Sequence, residues 1–182
     1  MNITMKKTLK LMLVALLAFG MFACGEKAMT EDDLKKAEAT LFNEDMTANL
    51  ENAPKVVEKF CKYAEQHPDD ANTPEWLFKA LEISIKTKNP EKSIEIGNKL
   101  MKDYPDYEKT PAAMFILASF VYDDQLKDID KARELYDKII SDYPESELVP
   151  SAEKSIEYLG LTPEEIMSLI QMSQMEVEEG EW

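Results

Sequence analysis

A pattern that repeats about every 37 residues is the feature that most constrains how this chain folds. Three segments align without gaps, and each ends in an aromatic or imidazole ring followed by proline: 52–68, 89–105 and 128–144. The terminal prolines are spaced by 37 and then 39 residues, and a second proline follows each of them six residues later. Periods of 20–50 residues mark arrays of stacked structural units. The sequence therefore predicts a repeat protein.

Each unit is predicted to contain two helices. Asn52, Asn89 and Asp128 precede apolar residues at helical spacing, and side chains of this type cap helices by accepting from free backbone amides. The ring–proline pair ends that helix, because the residue before a proline is disfavoured in the helical region. Another helix begins after the second proline, and we expect it over 75–86 in one unit and 112–124 in the next.

The pattern resembles the tetratricopeptide repeat, in the longer-spaced variety with a YPD or YPE junction found in bacterial envelope lipoproteins. The resemblance covers residues 34–160 and is carried by small residues at packing positions, by aromatic residues and by the terminal prolines: Ala80, Ala118, Ala132, Phe60, Tyr136, Pro68, Pro105 and Pro144. It implies an all-α, right-handed solenoid of three helical hairpins that share one core. Two departures are a longer loop before Asp128 and an irregular stretch between the first predicted helix, 31–42, and Asn52.

The C-terminal part is predicted to close the array. A further first helix over 151–159 ends at Gly160, which suits the left-handed conformation that follows many helices. Thr162 then begins a capping-box pattern with a first-turn proline, and an amphipathic helix follows over 163–177. We expect residues 161–182 to form a capping helix and an acidic tail. The alternative is a helix that docks into a groove of the array or of a partner.

The N-terminus is predicted to be an export signal that ends in a lipidation site. Residues 1–23 have a short basic start and an apolar run that is too short to span a bilayer, as is typical of a secretory signal. The junction MFACG resembles the lipobox of bacterial lipoproteins, which implies acylation of Cys24 and a membrane anchor without a membrane span. Residues 24–33 are then a polar tether. The alternative is a plain cleaved signal in which Cys24 is incidental.

The composition argues against nucleic-acid binding and offers little for catalysis. The chain has 21 Lys and Arg against 36 Asp and Glu, and three of the lysines precede Cys24, so the mature part is the more acidic. A field of this sign opposes binding to phosphates. Five glycines, one histidine and two cysteines are too few for a phosphate-binding loop or a clustered metal site. We expect no catalytic residue, no metal and no cofactor.

Two features are open to a chemical interpretation. Cys61 and His67 are a possible nucleophile and base, although a histidine that replaces the tyrosine of the other units is more simply a packed ring. The acidic loop 123–130 is a possible calcium site, although it lacks the glycine and the distal glutamate of an EF-hand. We therefore expect a packed histidine and a solvated loop.

The resemblance also implies where a partner binds. The first helices of successive units line a concave groove in this repeat class, and the residues expected to face it are Phe78, Glu82, Ile85, Phe115, Ser119 and Tyr122. The alternative is that Phe78 and Phe115 fill the seam between units. The predicted function is a lipid-anchored adaptor that binds a protein or peptide rather than a small-molecule substrate.

The lipobox resemblance places this adaptor in the bacterial cell envelope. The outer membrane is favoured, since Gly25 is not the aspartate that retains many lipoproteins in the inner membrane. The pattern is similar to the tetratricopeptide lipoproteins of outer-membrane barrel assembly and to periplasmic coordinator proteins. Two other classes stay open: an envelope enzyme or enzyme subunit that uses Cys61, and a surface lipoprotein that handles glycans through Trp76 and Trp182.

Overall fold

Helices make up nearly all of the part of the chain that the computed structural model describes, residues 28–43 and 45–179. In chain order they are α1 (Glu31–Ala39), α2 (Ala53–Gln66), α3 (Thr73–Lys86), α4 (Pro90–Asp103), α5 (Thr110–Ile116), the π-helical continuation of α5 (Leu117–Asp123, the π segment), α6 (Ile129–Asp142), α7 (Val149–Tyr158) and α8 (Pro163–Glu179). A 3-10 turn, Leu50–Asn52, precedes α2. The described residues contain no strand, and Phe42 and Ala48 form an isolated antiparallel bridge.

One continuous hydrophobic core runs through the stack of helices. α3 packs against α2 on one side and α4 on the other, while α6 packs against the π segment and α7. The buried residues extend from Leu34 in α1 to Ala152 in α7 without a break. A single hairpin cannot bury its apolar face alone, so neighbouring hairpins stabilise one another. The predicted all-α, tetratricopeptide-like solenoid is confirmed.

A hydrogen bond from each terminal tyrosine links its unit to the unit before it. Tyr104 Oη donates to the carbonyl of Pro68 at 2.9 Å, and Tyr143 Oη makes the same bond to the next terminal proline at 3.0 Å. His67 holds this position in the first unit, where its Nε2 lies 2.8 Å from the Met29 carbonyl oxygen. The ring–proline motif therefore ends a helix and also couples adjacent units.

Two of the three predicted N-caps form. The Asn89 and Asp128 side chains each accept from the backbone amide three residues further on, at 3.1 Å. The prediction for Asn52 is wrong, because the 3-10 turn runs directly into α2 and leaves Asn52 in a helical conformation. Its Nδ2 donates instead to the Thr40 carbonyl at 3.2 Å, which ties the start of α2 to the end of α1.

The first helix of the third unit changes its hydrogen-bonding pattern part-way along. A regular helix is expected over 112–124, but α5 ends at Ile116 and the π segment follows. The amide of Asp124 bonds to the Ser119 carbonyl five residues earlier at 3.1 Å, as a π-helix requires. Such a widened turn takes up extra residues, and this unit has 39 residues between its terminal prolines where the previous one has 37.

α8 forms where the sequence predicts it, and its side chains over residues 163–172 are largely exposed to solvent. Gly160 has a φ of 80° after α7, and Thr162 and Glu165 make the reciprocal bonds of a capping box at 2.7 and 3.3 Å. Met167 and Met172 on this helix are 56% and 54% exposed. Over residues 163–172, where side chains are described, the helix therefore buries little apolar surface.

The predicted signal at 1–23 and the lipidation site at Cys24 lie outside the described residues. Within the predicted tether, 24–33, the last three residues are the first turn of α1, which Thr30 and Asp33 close with a capping box. Among the described helices, none is long and apolar enough to cross a bilayer.

An ionic contact spans the junction between the second and third units. The Glu75 carboxylate in α3 accepts a bond from Tyr107 Oη and another from Lys109 Nζ, the latter at 2.7 Å. Burial disfavours the charged form of Glu75, but the bonds from Lys109 and Tyr107 outweigh it and hold the pKa of this carboxyl below its usual range. The contact therefore stabilises the fold more when Glu75 is ionised than when it is protonated.

Glu75→Gln is expected to lower the free energy of unfolding at neutral pH by about 0.5–1 kcal/mol, discounted because the carboxylate is partly exposed. A lowered folded-state pKa gives stability that is present above the unfolded-state pKa and is lost as the pH falls through the folded-state pKa. The difference from the wild type should therefore shrink as the pH falls below the unfolded-state pKa of about 4.3. Urea unfolding over a series of pH values from neutral downwards measures it, with the exposed Glu58→Gln as control. A gap that persists at low pH contradicts this account.

Candidate partner-binding groove

A groove of about 400 Å³ lies between the C-terminal part of α3 and the first helix of the third unit. It is lined by Glu82, Ile85, Lys86 and Lys88 on one side and by Ile116, Phe120, Asp124 and Gln125 on the other. We call it the α3–π groove. Its position follows from the repeat, because the first helices of adjacent units lie side by side in a stack of hairpins.

Phe120 is the prominent apolar group of this groove. It belongs to the π segment and is 51% exposed, whereas its neighbours in sequence, Ser119 and Val121, are half-buried and buried. Ile85 and Ile116 are half-buried beside it. An exposed aromatic ring next to aliphatic side chains, with charges at the rim, is typical of the anchor position in a protein interface.

The six residues predicted to face a groove are divided by the structure. Glu82 and Ile85 line the α3–π groove. Phe78 is half-buried against the core, with Lys109 Nζ 5.4 Å from its ring centroid. The other three residues belong to the third unit, and their side chains do not line this groove.

Phe115, Ser119 and Tyr122 face α6. The Phe115 ring meets the Tyr136 ring edge-on at 5.3 Å, and Ser119 Oγ lies 2.6 Å from Tyr136 Oη. Burial raises the pKa of the Tyr122 hydroxyl, and the charged groups that influence it, such as Lys131, belong to the α6 end of the hairpin. Phe78 thus lies next to Lys109 of the following unit, in the seam between units, whereas Phe115 packs inside its own hairpin.

Phe120 is the groove residue that the sequence reasoning missed. The repeat aligns it with Ile83, a half-buried position of α3, so a regular helix places it against the core. In the π segment each turn contains more residues than in an α-helix, so side chains are rotated relative to that alignment. The available signal is the proline spacing of 39 residues, which shows that the third unit cannot superpose on the second over its full length.

Cys61 and His67 do not form a reactive pair. Burial, the largest effect, raises the pKa of the Cys61 thiol to about 11, so the nucleophilic thiolate is disfavoured. His67 stacks on Tyr63 at a centroid distance of 4.5 Å while its Nε2 contacts the Met29 carbonyl. Six residues along a helix correspond to a rise of about 9 Å, which separates the two side chains.

In the described residues, neither the possible calcium loop nor the possible sugar platform at Trp76 is supported by the geometry. Within residues 28–43 and 45–179, no group of three or more His, Cys, Asp or Glu side chains is placed to hold a metal ion, the acidic loop 123–130 included. Trp76 is only 6% exposed and packs on Phe60 at a centroid distance of 5.0 Å, so its face is closed to a sugar ring. Trp182 lies outside the described part of the chain.

A comparison with known protein families finds a match in the third unit. Residues 112–146 match the tetratricopeptide repeat family. The chain contains a tetratricopeptide repeat. The matched segment covers most of α5, the π segment and α6, and so includes Phe120. No curated protein and no solved structure matches the chain. Tetratricopeptide repeats are interaction modules that generally bind proteins.

Proposed function

We propose that this protein is a non-catalytic adaptor that binds a segment of another protein in the α3–π groove, at a bacterial envelope membrane to which Cys24 anchors it. The observation that carries the binding part is the half-exposed Phe120 beside Ile85 and Ile116. The rim of the α3–π groove carries charges of both signs, from Lys86 and Glu82. This arrangement favours a partner segment that is apolar at its centre and polar at its flanks.

The two other classes of function have weaker support. A cysteine hydrolase needs a thiolate and a free base, and neither Cys61 nor His67 meets these needs. A glycan-handling protein that uses Trp76 needs the face of this ring exposed, and Trp76 is buried. The envelope location rests on the lipobox at Cys24, and a role in outer-membrane protein assembly rests on the resemblance of the repeat to that group of lipoproteins.

Site-specific photo-crosslinking tests the groove. A photoreactive residue at position 120 is expected to capture one protein from intact envelopes, and the same residue at Leu126, which is 45% exposed outside the groove, is the matched control. The partner, once purified, should bind Phe120→Glu at least about 30-fold more weakly than wild type, as expected for an interface hot spot. Equal capture at both positions, or unchanged affinity of Phe120→Glu, would argue against the groove.

Replacement of the lipobox cysteine tests the membrane anchor separately. Cys24→Ala should abolish acylation and release the protein from the membrane fraction, because two or more acyl chains provide stable anchoring. Cys61→Ala is the matched control and should leave fractionation unchanged. Lipid labelling that survives in Cys24→Ala would show that the anchor assignment is wrong, whatever the outcome for the groove.

A further inference from the structure

The charged side chains of the α3–π groove follow a fixed order along α3. Glu82 is the lining residue of α3 nearest the start of the helix, Lys86 is the last residue of the helix, and Lys88 follows two residues later. All three are exposed. A rise of about 1.5 Å per residue places Lys86 about 6 Å beyond Glu82 along the helix axis. On its α3 side the groove therefore has a negative end at Glu82 and a positive end at Lys86 and Lys88.

These three charges have no ion-pair partner in the part of the chain that the structure describes. Two lysines closer to the start of the neighbouring first helices are engaged elsewhere: Lys79 Nζ lies 2.8 Å from the Glu38 carboxylate, and Lys109 Nζ lies 2.7 Å from that of Glu75. A basic group of a partner can thus bind Glu82, and an acidic group can bind the positive end, without breaking an ion pair.

The last carbonyls of α3 are satisfied without the two lysines of the positive end. Lysines near a helix C-terminus can bond to its last carbonyls. Here the carbonyls of residues 83–85 accept bonds from the backbone amides of residues 87–89 at 3.0 Å. The ammonium groups of Lys86 and Lys88 are therefore not needed as helix caps.

The opposite wall of the groove adds one carboxylate to the positive end. Lys109 precedes α5 and bonds to Glu75 near the start of α3, so the two helices run in the same direction. Asp124, directly after the π segment, therefore lies at the positive end of the groove. Its Oδ1 is 3.8 Å from Lys127 Nζ. Among the lining residues of this end, two lysines face one aspartate that has a lysine of its own, so positive charge is in excess.

The charge of the whole chain makes the positive end distinctive. The chain has 36 Asp and Glu against 21 Lys and Arg, so an acidic side chain of a partner is repelled by most of the molecule. At Lys86 and Lys88 the same side chain is attracted. Because a wrong charge is penalised at each end of the groove, the charges of a bound segment decide which of its flanks lies at which end.

We propose that the segment bound in the α3–π groove has an apolar anchor with an acidic side chain on one flank and a basic side chain on the other. The acidic flank lies over Lys86 and Lys88, the anchor contacts Phe120 and Ile85, and the basic flank lies over Glu82. This inference rests on the proposed function, because it names the chemistry of the partner segment that the groove binds.

Selection from a library of random peptides displayed on phage tests this partner chemistry. The full chain, purified from envelopes in detergent, should enrich peptides in which an apolar residue has an acid on one side and a base on the other. Their affinity for Lys86→Glu with Lys88→Glu should fall at least about tenfold, because repulsion replaces two attractive contacts. Changing the acid of such a peptide to lysine should restore its binding to this variant but not to Glu82→Lys.

Lys131→Glu with Lys138→Glu is the matched control. It makes the same change of net charge at two exposed positions of α6, outside the groove, and should leave the affinity of the peptides unchanged. Peptides that lose binding to Phe120→Glu but carry no acid, or that bind the variant of Lys86 and Lys88 as well as the wild type, overturn this inference and leave the groove in place. If no enriched peptide loses binding to Phe120→Glu, the groove assignment itself is overturned.

Discussion

Phe60→Ala is expected to lower the free energy of unfolding by about 3–5 kcal/mol, the usual loss for a fully buried phenylalanine. Phe60 has no exposed surface, lies in the middle of α2 and packs on Trp76 of α3 at a centroid distance of 5.0 Å. The substitution leaves a cavity at the contact between the first and second units. Because the core is continuous, the weakened contact should be felt by the array as a whole.

Urea denaturation of the wild type and of Phe60→Ala, followed by circular dichroism, measures this loss. Phe42→Ala is the control, because the same chemical change at a ring that is 50% exposed should shift the free energy by no more than about 0.5 kcal/mol. Similar losses for the two variants would contradict the burial described for α2. A strand-rich spectrum of the wild type would contradict the fold itself.

Gly97→Leu is expected to destabilise the protein by about 3 kcal/mol or more, at the upper end of the range for overpacked cores. Gly97 is buried in the middle of α4, and a Cβ atom built there lies 2.1 Å from Leu117 Cδ1 in the π segment. Leu117 has no exposed surface and so little space to retreat. A glycine inside a helix costs about 1 kcal/mol relative to alanine, and the close approach of the two helices explains its presence.

A double-mutant cycle separates this steric effect from other causes. Leu117→Ala alone should lose about 2–5 kcal/mol by leaving a cavity. Leu117→Ala combined with Gly97→Leu should be more stable than the sum of the two losses predicts, because the new side chain fills the vacated volume. Additive losses would mean that the two positions do not touch.

The repeat was predictable from sequence because its signals are local and recur. The ring–proline pairs stop three helices through backbone sterics, and the residue types at Asn89 and Asp128 favour caps whatever surrounds them. Asn52 has the same side chain, but its role depends on a 3-10 turn that forms against the end of α1. The conformation of Asn52 depends on this tertiary contact, and no local sequence pattern predicts it.

The groove was predictable only in part. Glu82 and Ile85 lie on a regular helix, where spacing fixes the exposed face, and both line the α3–π groove. Phe120 lies in the π segment, where the usual spacing does not apply, and the continuous apolar run of the third unit has no clear period to reveal the change. The π segment lies within the matched repeat and places an aromatic ring in solvent, and π-bulges are frequent at functional sites.

Hydrogen–deuterium exchange of the free and partner-bound protein tests the central claim most directly. If the α3–π groove holds the partner, binding should slow amide exchange in peptides that cover residues 82–88 and 116–125, with little change in α2 and α4. Protection confined to α2, α4 or α8, with the groove peptides unchanged, would show that the partner binds elsewhere and that Phe120 is an incidental exposure.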